Sequence, residues 1–160
     1  MWAVPIYTDG SKAEDSTVGV GYYLSQGELG VRVGKVATVW DGEVSGLERG
    51  IEAAGNRDWK IIFFTDSKAA IQAPKKAGTT GKTRTRARAR LASEITGRSD
   101  LYGSGNTLIG WVKSHIGIAV NEKADEMAKK GSKKEKGGDI TEGGVQQRSR
   151  EIKKAKRRVP

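Results

Sequence analysis

The sequence contains no cysteine and only one histidine, His115. The missing cysteines exclude disulfide bonds and thiolate-bound metals, and a single imidazole excludes any metal site that needs two histidines. A catalytic metal, if the protein uses one, must therefore be held by oxygen atoms, which are the ligands that hard divalent cations prefer.

Long apolar segments are also missing. No apolar run approaches the roughly 20 residues that a membrane-spanning helix needs, and the N-terminus lacks the basic segment followed by an apolar stretch that directs secretion. We therefore expect no membrane partner, no secretion, and a site of action in the cytoplasm or nucleus.

Positive charge is what the sequence has in excess. Lys and Arg number 29 against 19 Asp and Glu, a net charge of +10, which favours a polyanionic partner. Residues 131–160 contain ten Lys or Arg against four Asp or Glu and so carry more than half of this excess. We expect a monomer with one domain over residues 1–131 and a basic extension over residues 132–160.

The apolar pattern predicts a mixed α/β domain. Runs and alternations of apolar residues predict strands at residues 3–8, 18–24, 31–36, 61–65 and 107–112. Helical periodicity predicts helices at residues 41–54, 67–73, 87–97 and 120–131. Gly97 is expected to end the third helix. All four tryptophans are expected in the core or at its edge.

Four carboxylates stand where a metal site could assemble: Asp9, Glu43, Asp66 and Asp125. Asp9 is predicted to end the first strand and Asp66 the fourth, so both would lie at one rim of the sheet. Glu43 and Asp125 each lie beside a core-facing residue of a helix. Taken singly, such residues are usually turn residues, N-caps or solvent-facing helix residues. Together they would repel one another unless Mg²⁺ or Mn²⁺ neutralised them.

Four ordered sequence blocks resemble those of ribonuclease H type 1. They are residues 6–11 (IYTDGS), 41–44 (DGEV), 64–67 (FTDS) and 111–125, the last containing WVKSH, GI and NEKAD. Each block alone is weak, but four in this order are specific, and the resemblance covers residues 3 to 131. It is greatest to the ribonuclease H domains of reverse transcriptases from non-LTR retrotransposons, particularly fungal ones. The chain would then be part of a larger reverse transcriptase polypeptide.

The resemblance implies a ribonuclease H-like fold, which is a five-stranded mixed sheet with its first three strands antiparallel and helices on both faces. It also implies an endonuclease that cuts the RNA strand of RNA·DNA hybrids with two Mg²⁺ ions, Mn²⁺ being the alternative. Asp9 would bridge both ions, and Asp125 would hold the ion that carries the attacking water. Glu43 and Asp66 would hold the ion on the leaving-group side.

By the same resemblance, His115 would lie on the loop before the last helix and assist proton transfer or product departure. An imidazole suits this role because it titrates near neutral pH. Removing His115 should slow turnover, whereas removing Asp9 should abolish it. The alternative is that His115 is a surface residue without a role.

The residues expected to contact the substrate are Gly10, Ser11, Ser67, Lys68, Asn121, Arg84 and Arg88. Arginines 84–90 resemble a shortened form of a basic region that holds the DNA strand, although they could equally cover the edge of the core. The sequence also departs from the family pattern, since Val39, Trp40 and Lys68 stand where Asn or Gln is common. Residues 153–158 (KKAKRR) suggest a nucleic-acid arm, a nuclear-localisation patch or a solvated terminus.

Two other hypotheses stay open at this point. One is a non-catalytic nucleic-acid-binding module with the same fold, which the positive charge and the unusual recognition residues favour. The other is a transposase or integrase core, which shares the sheet and the acidic cluster. The position of Glu43 at the start of a helix and the loop that holds His115 argue against the second.

Overall fold

The computed structural model describes residues 3–24, 27–34, 37–55, 58–76, 85–113 and 117–134. The predictions for Arg84, for His115 and for the basic extension beyond residue 134 concern residues outside these ranges.

A mixed sheet of five strands forms the centre of the fold. The strands are β1 (Ala3–Lys12), β2 (Val18–Leu24), β3 (Gly27–Gly34), β4 (Lys60–Thr65) and β5 (Thr107–Trp111). Their order is β3-β2-β1-β4-β5, with β1, β2 and β3 antiparallel and with β1, β4 and β5 parallel. This confirms the predicted sheet and its antiparallel start.

Helices cover both faces of the sheet, which confirms the rest of the predicted fold class. They are α1 (Val39–Ala54), α2 (Lys68–Ile71), α3 (Thr85–Tyr102) and α4 (Ala119–Ser132), with a 3₁₀ turn at Pro74–Lys76. Alternate residues of β2 point to opposite faces: Val18 and Val20 lie against α1, whereas Gly19 and Gly21 lie against α4. Within the described ranges, every helix is too short or too polar to cross a bilayer.

The core lies between the sheet and helices α1 and α3. Its largest fully buried members come from two central strands and both helices: Ile6, Leu47, Ile61, Phe63 and Leu91. Burying such side chains stabilises the fold by about 1.5–3 kcal/mol each. The strands and the helix that carry the candidate carboxylates therefore have a rigid base.

Helix α1 begins two residues earlier than predicted because Thr38 caps it. The Thr38 hydroxyl accepts a hydrogen bond from the Asp41 N–H at 3.2 Å, and the Asp41 carboxylate accepts one from the Thr38 N–H at 2.7 Å. This reciprocal arrangement is a capping box, which satisfies donors that the helix leaves unpaired. Glu43 is therefore the fifth residue of the helix.

The prediction that Asp9 ends the first strand is wrong. The ladder between β1 and β2 runs from Ile6 opposite Leu24 to Lys12 opposite Val18, so the strand continues for three residues beyond Asp9. Pairing with β2 overrides the weak strand preference of the glycine and serine that follow Asp9.

The prediction that Gly97 ends the third helix is also wrong. Helix α3 continues to Tyr102, and the residue with left-handed backbone at its end is Gly103, with a φ of +95°. Contacts of Arg98 hold the last turn in place. Its guanidinium donates to the carbonyls of Gly55 (2.8 Å) and Trp59 (2.9 Å) and to Oδ1 of Asn106 (2.8 Å).

Helix α4 packs directly on the backbone of β2 and β3. A Cβ atom at Gly19, Gly21 or Gly30 would lie 2.1–2.2 Å from backbone atoms of α4, so only glycine permits this approach. Gly30 belongs to strand β3, which starts at Gly27, whereas the sequence predicted a start at Val31. The close packing brings the middle of α4 over β1.

Candidate active site

Asp9 and Asp66 lie level with each other on neighbouring parallel strands. The register places Tyr7 opposite Phe64, and each aspartate comes two residues later along its chain. Asp9 is buried inside β1, and Asp66 is half-buried directly after β4. Sheet pairing thus brings together two carboxylates that are far apart in sequence.

Glu43 reaches the same place from α1. The helix crosses β1 at Gly10, where a Cβ atom would lie 3.0 Å from the Val39 carbonyl oxygen and 3.1 Å from the Glu43 nitrogen. Oε1 of Glu43 accepts a hydrogen bond from the Gly10 N–H at 3.2 Å, and Oε2 accepts one from the Thr65 hydroxyl at 3.1 Å. These bonds fix the Glu43 carboxylate beside the strand that carries Asp9.

The structure therefore brings three of the four predicted carboxylates into one group. One oxygen atom each from Asp9, Glu43 and Asp66 lies within 4.8 Å of the other two. Asp125 adjoins the group from α4, close enough for its charge to raise the pKa of Asp9. Lys129, one turn further along α4, pairs with Asp125 at 2.6 Å. We call Asp9, Glu43 and Asp66 the carboxylate cluster.

Burial and mutual repulsion raise the free energy of the cluster when its carboxyl groups are ionised. Burial, followed by the charges of Asp66 and Asp125, raises the pKa of Asp9 to about 7. Burial, followed by the charges of Asp9 and Asp66, raises the pKa of Glu43 to about 8. Hydrogen bonds from the backbone and from a hydroxyl oppose these shifts only in part. The protein alone thus disfavours the fully ionised cluster near neutral pH.

The cluster fits a divalent cation. Its side-chain donors are carboxylate oxygens, which Mg²⁺ and Mn²⁺ prefer. Among the residues that the structure describes, no Lys or Arg forms an ion pair with Asp9, Glu43 or Asp66, and Lys129 is engaged by Asp125. The buried negative charge is therefore left for a bound cation to neutralise.

Without divalent cations, the protein is expected to lose stability as the pH rises from about 4 to about 8. An acid whose pKa is raised by folding holds its proton more tightly in the folded state, so its penalty is absent below the unfolded pKa and complete above the folded one. The pKa values of Asp9 and Glu43 rise on folding to about 7 and about 8. Urea titrations in EDTA at several pH values measure the effect.

A matched pair of variants sharpens this test. Asp9→Asn removes one repelling charge and keeps an acceptor for the Gly10 N–H, so at pH 8 in EDTA it should raise the free energy of unfolding by about 1–3 kcal/mol. The gain should shrink at low pH. Asp100→Asn makes the same change at an exposed position of α3 and should alter stability little. Wild-type stability that increases from pH 5 to pH 8 in EDTA would contradict the expectation.

Three of the predicted substrate-binding residues border the cluster on its strands. Ser11 follows Asp9 by two residues on the same face of β1 and lines a groove beside the cluster. The Ser67 hydroxyl caps α2 by accepting from the Ala70 N–H at 3.2 Å. Gly10, in contrast, lets α1 approach β1 closely because it has no side chain.

The remaining predicted contacts are more varied. Lys68 lies with its Nζ 5.1 Å from the ring centre of Trp111. Asn121 is buried on α4, and its Oδ1 has no hydrogen-bond partner among the described residues. The Arg88 guanidinium lies 5.8 Å from the ring centre of the buried Trp40, which favours the interpretation that Arg88 covers the edge of the core.

Two residues beside the cluster were missed in the sequence. Thr65 donates to Glu43, and the period of two in β4 places it on the face of α1, where a buried hydroxyl needs a partner. Trp111 was expected in the core or at its edge but is 49% exposed, because it ends the edge strand β5. Its Nε1 donates to the carbonyl of Asp66 at 3.1 Å, which ties β5 to the cluster.

Comparison with known proteins gives one family. The RNase H family model matches residues 2–133. None of the curated proteins compared with the sequence matches it. Among solved structures, RNase H1 from the halophilic archaeon Halobacterium salinarum NRC-1 is similar at 26% sequence identity and a TM-score of 0.61, over 81% of this chain and 96% of that chain.

Two more distant structures share the fold. LC11-RNase H1, isolated from compost by a metagenomic approach, is 20% identical with a TM-score of 0.65, over 82% of this chain and 96% of its own. A foamy viral protease-reverse transcriptase, solved in complex with an RNA/DNA hybrid, is 16% identical with a TM-score of 0.64, over 82% of this chain and 20% of its own.

Proposed function

The chain belongs to the ribonuclease H family, and we propose that it cleaves the RNA strand of RNA·DNA hybrids with Asp9, Glu43, Asp66 and Asp125 as its catalytic carboxylates. One observation carries the proposal. Three carboxylates from separate elements place an oxygen atom each within 4.8 Å of the others. Because burying unpaired, mutually repelling charges is costly, stability alone gives no reason to keep them there.

The proposed reaction is hydrolysis of one phosphodiester bond. Water attacks the phosphorus atom, the bond from phosphorus to the 3′ oxygen breaks, and the products carry a 5′-phosphate and a 3′-hydroxyl. Two bound divalent cations, Mg²⁺ or Mn²⁺, would supply activation of the water and stabilisation of the leaving oxygen.

The chain itself would hold and orient the ligands for these cations. Asp9 lies within 4.8 Å of the other cluster carboxylates by its oxygen atom and is close enough to Asp125 to feel its charge, so it would be the ligand common to the whole site. The Gly10 N–H and the Thr65 hydroxyl hold the Glu43 carboxylate in place. We retain His115 as the residue that moves a proton or assists product departure.

Substrate contacts follow from what borders the cluster. Ser11, Ser67 and Lys68 each follow a cluster aspartate within two residues, so they are positioned to meet the strand that is cut. Asn121 offers a buried oxygen that has no partner among the described residues, one helical turn before Asp125, where it would orient a polar group near the site. Recognition of the hybrid would use the 2′-hydroxyls of one strand.

We further propose that this ribonuclease serves the reverse transcription of a retrotransposon, as one domain of a larger polypeptide. The support is the resemblance of the four sequence blocks, together with a fold shared with a foamy viral protease-reverse transcriptase. The basic extension over residues 132–160 would then begin at the end of α4 and continue beyond the catalytic domain.

A cleavage assay tests the proposed activity. The full chain is incubated in Mg²⁺ with a hybrid whose RNA strand is 5′-labelled, and separately with duplex DNA, duplex RNA and single-stranded RNA. We expect shorter RNA products that end in 3′-hydroxyls from the hybrid, and none when EDTA replaces Mg²⁺.

The outcomes distinguish the competing hypotheses. An intact RNA strand in the presence of protein that is folded by circular dichroism would defeat the nuclease proposal, and salt-sensitive binding without cleavage would favour a non-catalytic module. Joining of DNA strands in the same buffer would favour a transposase or integrase core instead.

A further inference from the structure

A groove of about 860 Å³ opens beside the carboxylate cluster, between the β1–β2 turn and the C-terminal end of α4. Five cationic side chains line it: Lys12, Arg32, Lys129, Lys133 and Lys134. Its acidic lining residues are Glu14 and Asp15. The cations come from β1, β3 and the end of α4, so the fold assembles them from three segments. We call this feature the basic groove.

Three of these cations are not paired with a carboxylate of the described residues. The ion pairs within the described ranges include neither Lys12 nor Arg32 nor Lys133. Arg32 donates through Nη1 to the backbone carbonyl of Lys134. Its buried Nε has no partner among the described residues. Asp15 accepts hydrogen bonds from the Thr17 N–H at 3.0 Å and the Thr17 hydroxyl at 2.9 Å, which directs its charge into the turn.

The groove adjoins the carboxylate cluster through two of its lining residues, Ser11 and Lys129. Lys129 pairs with Asp125 at 2.6 Å, and the charge of Asp125 helps to raise the pKa of Asp9. Ser11 lines the groove from the same strand face as Asp9. Lys133 is two helical turns beyond Asp125, or about 12 Å along α4 at 1.5 Å per residue.

We propose that the basic groove binds the phosphodiester backbone of the substrate, a few nucleotides away from the phosphate at the carboxylate cluster. The inference rests on the proposed hybrid cleavage. It gives the hybrid a second point of attachment on the protein. A nucleic-acid strand is the occupant that the groove favours, because it presents successive phosphates to cations spread over three segments. Residues 135–160 are a poorer occupant, since they carry eight Lys or Arg against four Asp or Glu.

The test compares two variants of the full chain. Lys12→Gln combined with Lys133→Gln removes two exposed groove charges, whereas Lys130→Gln removes an exposed charge of α4 that pairs with Glu126 at 2.7 Å and does not line the groove. The probe is a fluorescently labelled RNA·DNA hybrid that spans both sites, in EDTA, with anisotropy as the readout. We expect the double variant to bind about tenfold more weakly and its salt slope to fall by about two, while Lys130→Gln changes neither.

Shortened hybrids locate the contact. In two series, the hybrid is trimmed from one end or from the other, up to the nucleotides next to the cut. The difference between wild type and the double variant should vanish in one series only, and persistence in both would overturn the placement. Equal weakening by Lys130→Gln, or no weakening by the double variant, would overturn the groove as a binding site.

The same reagents separate this inference from the proposed function. If the wild-type protein cleaves the hybrid and the double variant binds it normally, the groove proposal fails and the nuclease proposal stands. Wild-type protein that binds through the groove without cleaving would defeat the nuclease proposal alone.

Discussion

Asparagine in place of Asp9 is expected to reduce cleavage of an RNA·DNA hybrid by about 10³-fold or more. Asp9 lies between the two parts of the site, because one of its oxygen atoms is within 4.8 Å of those of Glu43 and Asp66 and its pKa is raised by the charge of Asp125 on α4. The amide keeps the shape and can still accept the hydrogen bond of the Gly10 N–H. It removes the charge that would hold the cations. The measurement is the single-turnover rate in Mg²⁺ with enzyme in excess.

Binding and a matched variant separate chemistry from folding. Asp9→Asn lowers the negative charge that faces the phosphates, so affinity for the hybrid in EDTA should stay the same or increase. Asp100→Asn should cleave at the wild-type rate, and Glu43→Gln should lose activity to a similar extent as Asp9→Asn. A rate for Asp9→Asn within tenfold of wild type would remove Asp9 from the catalytic set.

The strands and helices were predictable because they follow from local patterns, whereas the arrangement of the strands in one mixed sheet was implied by the resemblance to ribonuclease H type 1. A strand buried on both faces reads as a continuous apolar run, as residues 61–65 do, and a half-buried strand alternates. Once β1 and β4 are parallel neighbours, Asp9 and Asp66 must lie close together. The helix that carries Glu43 was visible from its period, and even its cap could have been found, since Thr38 and Asp41 have the spacing of a capping box.

The features that sequence reasoning got wrong depend on contacts between distant segments. β1 continues past Asp9 because β2 pairs with it, and α3 continues past Gly97 because Arg98 bonds to loops up to 43 residues away in sequence. Gly97 was taken as a local stop signal for α3, although tertiary contacts decided the outcome in both cases. The hydrogen bond from Thr65 to the Glu43 carboxylate was missed for a similar reason. The two residues are 22 positions apart in sequence, and no local pattern connects them.

The basic groove could not be predicted either, because it also depends on contacts between distant segments. Its cations lie on β1, β3 and α4, and each one alone looks like an ordinary solvated lysine or arginine. Only the packing of α4 on β2 and β3 brings Arg32 and Lys133 to one groove. Net charge therefore predicted a polyanionic partner but could not predict where that partner would bind.

Gly21→Ala is expected to lower the free energy of unfolding by about 3 kcal/mol or more. The added Cβ would lie 2.2 Å from the Ala124 carbonyl oxygen and 2.4 Å from the Ala128 nitrogen. Both are backbone atoms, so a rotamer change cannot relieve the clash and α4 must move away from the sheet. Urea unfolding followed by circular dichroism measures the loss, and a similar m-value in both proteins would show that the unfolding transitions are comparable.

Gly97→Ala provides the opposite expectation for the same chemical change. Gly97 lies inside α3, and a Cβ atom added there would have no described neighbour within 4 Å, so alanine should stabilise the helix by up to about 1 kcal/mol. Because α4 also carries Asp125, the variant at Gly21 that remains folded at low temperature should cleave more slowly, whereas Gly97→Ala should cleave normally. Equal stability of the two variants would mean that α4 does not rest on the backbone of β2, and the placement of Asp125 near Asp9 would lose its structural support.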